Sequence, residues 1–407
     1  MAFAKPSKNW ANASLRSQPH ENGGAELMET AELTALLEPI LPAVADAADA
    51  AETERRPSRP VMKQLGDAGL MRLMVPTDYG GHAVHPHLFM DFIEQIAQVH
   101  ASLAWTAMTC NEEAGITSAY LDAGHATEFF AANPTAVIAG SGVPKGRATK
   151  VPGGWEITGR WPFVSGCTAS DWVVLANLVV GTKPVMLCFV LVPTADVTID
   201  DTWHTIGLRG TGSNDVVLER HFVPSELAGE NPSFGLPKPD TPFYRLPSGL
   251  RFPFPKVGVA AGISRAALDD FAELAGAKKP LYHKSTLRER ATAQAAMARA
   301  EALVGSSRAW VRELVDELWD DATAGRPITA ELHARCRLAC THAVSSCIAA
   351  VELLASEAGS TSNFTSSPLG RHVNDARAVA AHSMVAPYHQ QTAGRLLLGL
   401  DADDPGF

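Results

Sequence analysis

The sequence has little positive charge, and this shortage limits the classes of function it can have. Its 407 residues include 34 Lys and Arg against 44 Asp and Glu, a formal net charge of −10. Proteins that bind nucleic acids or anionic membranes electrostatically need clustered basic residues, so we expect neither partner. Only 19% of the residues are charged and 46% are hydrophobic, which leaves apolar surface for contacts between subunits.

Cysteines are also few. Six cysteines in a chain of this size, with no CxxC, do not make a disulfide framework, which favours a reducing, cytoplasmic location. His333, Cys336 and Cys340 occur at helical spacing and suggest a metal site. Buried thiols in an Ala-rich helix are the simpler interpretation, so we predict no metal.

Long apolar runs are missing as well. No run approaches the roughly 20 residues that a membrane-spanning helix needs. Residues 1–25 are polar, are broken by Pro6 and Pro19, and lack the apolar core of a signal peptide. We therefore expect a flexible tail at 1–25 and no membrane association.

The rest of the chain divides by its pattern into three parts. Residues 26–133 carry helical stripes of apolar residues, with 89–110 as one helix. Residues 134–226 contain six β-rich segments: 136–142, 155–164, 172–180, 185–192, 197–201 and 216–223. A Pro-rich connector (227–256) precedes residues 257–407, which have four long helical patterns: 258–274, 285–320, 329–358 and 371–400. We predict an α+β fold with an N-terminal helical domain, a small antiparallel β-barrel or sandwich, and a C-terminal four-helix bundle.

The most informative stretch is 153–171, GGWEITGRWPFVSGCTASD. Its first half alternates with the period of two expected of a half-buried strand. Pro162 removes a backbone donor and Gly166 permits unusual dihedrals, so we expect the segment to leave the sheet and expose its N–H groups. Free backbone beside Trp161, Phe163 and Val164 suits a flat aromatic ligand with polar edges, and we predict a flavin site.

Three motifs resemble those of the acyl-CoA dehydrogenase superfamily. They are Gly154-Trp-x-Ile-x-Gly-Arg-Trp-Pro-Phe-x-Ser-Gly166, then Gly207-Leu-Arg-Gly-Thr-Gly-Ser213, then Pro368-Leu-Gly-Arg371 with His382 following. They occur in that family's order, and the resemblance covers the chain from about Leu33 onward. It implies the three-part acyl-CoA dehydrogenase fold and a homotetramer assembled through the bundle.

Within that superfamily the chain resembles the oxygenase component of two-component flavin-dependent monooxygenases, such as the p-hydroxyphenylacetate and dibenzothiophene enzymes. Dehydrogenases place a glutamate over the flavin, in the final helix or early in the bundle. Residues 378–384 (AVAAHSM) and 252–258 (FPFPKVG) contain no acid. The resemblance therefore implies a chamber without carboxylates above the flavin ring.

The resemblance also implies a reaction. Reduced FMN or FAD, supplied by a separate NAD(P)H-dependent flavin reductase, would react with O₂ to a C4a-hydroperoxide that hydroxylates a small aromatic or heteroaromatic substrate. Two alternatives stay open. One is an acyl-CoA dehydrogenase-type FAD oxidoreductase with a relocated base such as Glu113, and the other is a non-catalytic flavin-binding scaffold.

Two candidate catalytic residues follow from the resemblance. Ser165 would bond flavin N5; its alternative role is a turn serine that caps its own backbone. His382 would be the acid/base toward the substrate; its alternative role is a core histidine in an Ala-rich helix, and His389 is a weaker candidate.

The resemblance places Trp105 and Glu113 on a helix that roofs the substrate pocket, where some relatives have a histidine near the position of Glu113. The alternative role of Trp105 is a simple core residue. Gly140 and Ser141, in a Gly-rich strand end, would lie against the flavin pyrimidine or the substrate. The GxGxxxG spacing here lacks the βαβ context of a dinucleotide-binding fold.

Candidate phosphate ligands are basic or Gly-rich. Arg290 matches the family's phosphate-reaching arginine by position, with Lys284 and Arg288 as rivals, and such ligands come partly from a neighbouring subunit in the family. Gly359 and Ser360 belong to a loop whose amides could cradle a phosphate.

Overall fold

A computed structural model describes residues 28–232 and 240–403, so the predicted tail and part of the connector lie outside the described residues. The N-terminal domain is helical, as predicted. Its helices are α1 (Thr30–Leu37), α2 (Leu41–Glu54), α3 (Arg59–Asp67), α4 (Pro86–Val99), α5 (Ala101–Tyr120) and α6 (Ala123–Ala132). The single helix predicted over 89–110 is two helices, because His100 takes an extended backbone (φ −156°, ψ 110°) between α4 and α5.

Helix α5 is the centre of the molecule. Almost every residue of this helix is buried, on all of its faces. It packs against α4, against the strand that opens the β domain, and against the first long helix of the bundle. A helix that is buried all round brings its polar side chains to the junction of the three domains.

Seven strands form the β domain: β1 (Ile138–Val151), β2 (Gly154–Val164), β3 (Trp172–Val179), β4 (Met186–Pro193), β5 (Thr198–Asp200), β6 (Asn214–Pro224) and β7 (Ala228–Pro232). They hydrogen-bond in the order β5-β6-β2-β1-β3-β4-β7. The prediction of purely antiparallel pairing is wrong for β1 and β3, which are parallel. The predicted connector also contains a strand, β7.

The sheet has irregular places next to predicted site residues. The pairing of β1 with β3 shifts register between Ser141 and Gly146. The pairing of β2 with β6 shifts between Trp161 and Val164. Backbone released from regular pairing at such shifts is where a sheet can receive a ligand.

The C-terminal part begins with two short helices, α7 (Pro242–Arg245) and α8 (Ser248–Arg251). The bundle follows as α9 (Pro253–Ala277), α10 (Ala291–Thr323), α11 (Ala330–Ala358), α12 (Pro368–Ala380) and α13 (Tyr388–Leu397). The fourth helix predicted over 371–400 is therefore interrupted. A 3₁₀ turn at Ser383–Val385 breaks it, and Ala386, directly before Pro387, is extended, as the residue before a proline usually is.

One segment, Ala330–Asn363, is long and apolar enough to meet the criteria for a membrane span. The expectation that no run approaches that length is thus corrected. Most of this segment's apolar window is buried inside the protein, and a core helix of a bundle has the same composition.

Candidate active site

Ser165 lies in a tight turn after β2. Phe163 (φ +61°) and Gly166 (φ +81°) both have left-handed backbones. The N–H groups of residues 165–167 all donate to backbone carbonyls, so the prediction of exposed donors here is wrong. A side chain on Gly166 would also come within 2.7 Å of Thr106 Cγ2 on α5, and only glycine satisfies both conditions.

A chain of hydrogen bonds fixes the Ser165 hydroxyl. Trp105 Nε1 donates to Ser165 Oγ at 3.2 Å, and Ser165 Oγ lies 2.7 Å from Ser213 Oγ. Ser213 Oγ lies 2.7 Å from Thr211 Oγ1, which donates to the Leu208 carbonyl at 2.8 Å. The structure thus joins two predicted residues, Trp105 and Ser165, to hydroxyls of the GLRGTGS motif that were not predicted as site residues.

His382 lies where the chain is interrupted between α12 and α13. Its ring contacts the ring of Trp105 edge-on, with 5.4 Å between centroids. Its Nδ1 accepts the N–H of Met384 at 3.2 Å, so the neutral ring carries its proton on Nε2. Burial, and then the charge of Lys256, lower the pKa of His382 to about 3. The imidazole is therefore uncharged at neutral pH and offers an N–H donor.

Lys256 and Glu112 are site residues that were not predicted. Lys256 is 1% exposed in the first turn of α9, and its Nζ lies 2.5 and 2.6 Å from the two carboxylate oxygens of Glu112 on α5. Glu112 follows Trp105 by two helical turns on the same face. The signal in the sequence was a lysine inside the apolar run FPFPKVG, since lysine is almost never fully buried without a partner.

Glu113 lies at the seam between α5 and β1 and is 9% exposed. Its Oε2 has no hydrogen-bond partner among the residues the structure describes. A Cβ on Gly140 would lie 2.8 Å from that oxygen and 2.4 Å from the Val174 carbonyl, so the glycine leaves room for the carboxyl. Burial, and then the charge of Glu112, raise the pKa of Glu113 to about 8. This carboxyl is therefore mainly protonated at neutral pH.

The expectation of a carboxylate-free chamber needs correction. Helix α5 brings two buried glutamates to the domain junction: Glu113, which the resemblance placed at the substrate pocket, and Glu112, which was not predicted. Glu112 is paired with Lys256, and Glu113 is protonated because of its surroundings. No unpaired carboxylate is left beside Trp105 and His382 among these groups.

The residues predicted to touch a flavin separate into buried and accessible ones. Trp161 and Val164 are wholly buried, and Trp161 Nε1 donates to the Ala176 carbonyl inside the sheet at 2.7 Å. Neither residue has accessible surface, and their role as flavin contacts stays a prediction. Phe163 is 66% exposed, and buried Ser141 lies directly before the register shift of β1.

The predicted phosphate ligands gather around Lys278. The N–H of Leu287, just before Arg290, donates to the Lys278 carbonyl at 2.8 Å. Lys278 Nζ donates at 2.6 Å to the carbonyl that precedes Gly359 and Ser360. These residues thus lie at one end of the bundle.

That end of the bundle is far from Lys256 within one chain. Lys278 directly follows the last turn of α9, whereas Lys256 lies in its first turn. At 1.5 Å per residue these two positions are roughly 33 Å apart. Within one chain, Arg290 and Gly359 therefore lie at the opposite end of α9 from the Lys256–Glu112 pair.

The part of the chain that the structure describes holds no group of three or more His, Cys, Asp or Glu side chains arranged for a metal ion. Burial raises the pKa of the Cys336 and Cys340 thiols, that of Cys340 to about 12. Buried, protonated thiols agree with the simpler interpretation of this helix.

The buried Glu113 carboxyl predicts a pH dependence of stability. Its pKa is raised in the folded state, so its contribution is complete below about pH 4.5 and is lost as the pH rises towards 8. Glu113→Gln cannot ionise at this position and should lose this dependence of stability on pH. Its free energy of unfolding should therefore rise relative to that of the wild type by up to about 1.4 kcal/mol for each pH unit across that range. Melting temperatures between pH 5 and 8.5 measure it.

The exposed Glu128 provides the control. Glu128→Gln should keep the wild-type dependence on pH. A constant difference between Glu113→Gln and the wild type at every pH would contradict the protonated state of Glu113.

Known protein families and individual proteins are similar to this chain in sequence. The family model described as acyl-CoA dehydrogenase, N-terminal domain, matches residues 19–127, and the one described as acyl-CoA dehydrogenase, C-terminal domain, matches residues 256–387. The chain is 33% identical to an indole-3-acetate monooxygenase of Pseudomonas putida, over 85% of this chain and 88% of that protein. It is 30% identical to the flavin-dependent monooxygenase oxygenase subunit HsaA of Rhodococcus jostii, over 86% and 94%.

Solved structures agree with these sequence matches. XiaF from a Streptomyces species, in complex with FADH₂ and glycerol, is similar with a TM-score of 0.84 and 25% identity, over 93% of this chain and 98% of that one. The 3-HSA hydroxylase of a Rhodococcus species is similar with a TM-score of 0.81 and 26% identity, over 92% and 99%.

Proposed function

Because the chain belongs to the flavin-dependent monooxygenases that have the acyl-CoA dehydrogenase fold, we propose that it is the oxygenase component of a two-component system that hydroxylates a small aromatic or heteroaromatic substrate. It takes reduced FMN or FAD from a separate NAD(P)H-dependent reductase and uses O₂. One observation carries the proposal: Ser165, Trp105 and His382 meet at the domain junction, with no unpaired carboxylate among Glu112 and Glu113 to act as a dehydrogenase base.

The residues at this place fit a reduced flavin. Ser165 is 6% exposed, and the exposed residue Phe163 lies two positions before it. Open space faces Gly142, where β1 leaves β3. The reduced flavin supplies the electrons that activate O₂; this chain binds it, orients the substrate and keeps water out.

We assign the substrate to the space between Trp105, Glu113 and Ser141. In this proposal His382, which contacts Trp105, donates a hydrogen bond from Nε2–H to the reacting oxygen. For His382 to accept a proton on Nδ1, as a general base would, the bond from the Met384 N–H must first break. We therefore favour donation over the acid/base role predicted from the sequence.

The phosphate site is proposed to form between subunits of a homotetramer in the cytoplasm. Arg290, Gly359 and Ser360 lie near Lys278, roughly 33 Å along α9 from Lys256, and we propose that they reach the flavin bound by a neighbouring chain.

A direct experiment tests the proposed reaction. Photoreduced FMN or FAD is mixed with the purified protein, ¹⁸O₂ and, in turn, indole, indole-3-acetate and p-hydroxyphenylacetate, and products are read by mass spectrometry. One ¹⁸O atom should enter a product, and only with reduced flavin. Reduction of oxidised flavin by an acyl-CoA without O₂ would overturn the proposal in favour of a dehydrogenase, and hydrogen peroxide without any hydroxylated product would favour the scaffold.

Replacements of His382 separate its two nitrogens. His382→Asn keeps an acceptor for the Met384 N–H and removes the donor at Nε2, whereas His382→Gln keeps a donor near the Nε2 position. We expect Asn to lower the hydroxylation rate by about 10²–10⁴ and Gln to retain most of it, with flavin affinity unchanged in both. Equal losses would contradict a donor role, and two unaffected rates would remove His382 from the reaction.

Replacement of Arg290 tests the phosphate site. Arg290→Gln should raise the Kd for reduced FMN by about 10- to 100-fold, as expected for one charge-assisted hydrogen bond, and leave the Kd for lumiflavin, which has no phosphate, unchanged. The exposed neighbour Arg288 is the control, as Arg288→Gln. An unchanged Kd in Arg290→Gln, or a tenfold change in Arg288→Gln alone, would assign the phosphate elsewhere.

A further inference from the structure

The hydrogen bonds around Ser165 have only one consistent direction. The Leu208 carbonyl can only accept, so the Thr211 hydroxyl donates its single proton to it. Ser213 must then donate to Thr211, and Ser165 must donate to Ser213. At the other end the Trp105 indole N–H can only donate, and it donates to Ser165.

This direction decides what Ser165 can offer to a ligand. A serine hydroxyl has one proton and two lone pairs. The proton is held by Ser213 and one lone pair by Trp105. What remains is one lone pair, on a residue that is 6% exposed. Ser165 can therefore accept a hydrogen bond from a ligand and cannot donate one while this hydroxyl chain is intact.

We infer that Ser213 and Thr211 are positioning residues that hold Ser165 as an obligate acceptor and so make the site select reduced over oxidised flavin. The inference rests on the proposed function. N5 of the reduced isoalloxazine carries an N–H, whereas N5 of the oxidised ring is an acceptor. An acceptor at Ser165 pairs with the first and faces the second with an unfavourable contact of two lone pairs.

The hydroxyl chain is held rigidly by other parts of the fold. Leu208 has a left-handed backbone (φ +49°), as does Gly212 (φ +52°). The Leu208 N–H donates to Asp375 Oδ1 on α12 at 2.7 Å, and the Gly210 N–H donates to Glu52 Oε1 on α2 at 3.1 Å. Because helices from two domains fix this loop, the Leu208 carbonyl keeps the direction that orders the chain.

Burial strengthens the effect. Thr211 and Ser213 are buried, so water does not compete for their protons. In a chain of hydroxyls within a low-dielectric interior, each bond polarises the next. Along the chain the exposed fraction of the residue rises from 0% at Thr211 to 3% at Ser213 and 6% at Ser165, so Ser165 is the member most open to a ligand.

Ser213→Ala tests the inference. Without Ser213 the Ser165 proton is free to turn towards the ligand and to donate to oxidised N5. The ratio of Kd for oxidised flavin to Kd for reduced flavin, measured anaerobically without substrate for FMN and for FAD, should fall about tenfold, the effect of one ordinary hydrogen bond. The same change raises the stability of the oxidised form and lowers the potential of the bound flavin by about 30 mV.

Two variants serve as controls. Ser213→Thr restores a hydroxyl at this position and should restore the wild-type ratio. Ser170→Ala breaks a comparable buried contact, since Ser170 Oγ lies 2.9 Å from Thr194 Oγ1, and should leave the ratio unchanged.

The outcomes distinguish a failure of the inference about Ser213 and Thr211 from a failure of the proposed function. Equal weakening of both flavin forms in Ser213→Ala, or an unchanged ratio, would overturn the inference while hydroxylation by the wild type still supports the proposed function. A ratio that Ser213→Thr does not restore would also overturn it. A wild type that binds neither flavin would overturn the proposed function together with the inference.

Discussion

The burial of α5 on all of its faces is the constraint on which the rest of the structure depends. A buried polar side chain must find a partner or change its charge state, and α5 carries several. Trp105 donates to Ser165 and Glu112 binds Lys256, so each contact ties α5 to a different domain. Glu113 finds no partner among the described residues and is protonated instead. The site thus forms because the buried polar side chains of α5 need partners or a neutral charge state.

The site forms where regular structure stops. Ser165 follows the register shift at the end of β2, Ser141 precedes the one in β1, and His382 lies in the break between α12 and α13. Regular helices and strands consume their own N–H and C=O groups. Side chains that must face a ligand therefore come from these breaks, and the long elements around them keep the breaks in place.

The three-part fold could be predicted from the sequence because hydrophobic periodicity and the positions of Gly and Pro are local properties. The motifs led to Ser165 and His382, and the family resemblance led to Trp105. The pairing of Lys256 with Glu112 could not be predicted, because it joins α9 to α5 across more than a hundred residues. The lysine inside an apolar run signals that a buried partner is needed but does not say which residue it is. The burial of Trp161 could not be predicted for a related reason: alternation places a side chain on one face of a strand but does not say whether that face is covered. The interruption near His382 was missed because Pro387 stands several residues after it.

The charges at the junction cancel, and this determines how the site can recognise a ligand. Lys256 and Glu112 neutralise one another, Glu113 is protonated, and burial keeps His382 uncharged. What remains is a set of dipoles with fixed direction: an acceptor at Ser165 and a donor at His382 Nε2. Dipoles held by packing need not reorganise when a ligand enters. Here the acceptor, Ser165, belongs to the β domain and the donor, His382, belongs to the bundle, with α5 between them. Recognition then depends on the relative placement of the domains, which the Lys256–Glu112 pair and the Trp105–Ser165 bond hold together.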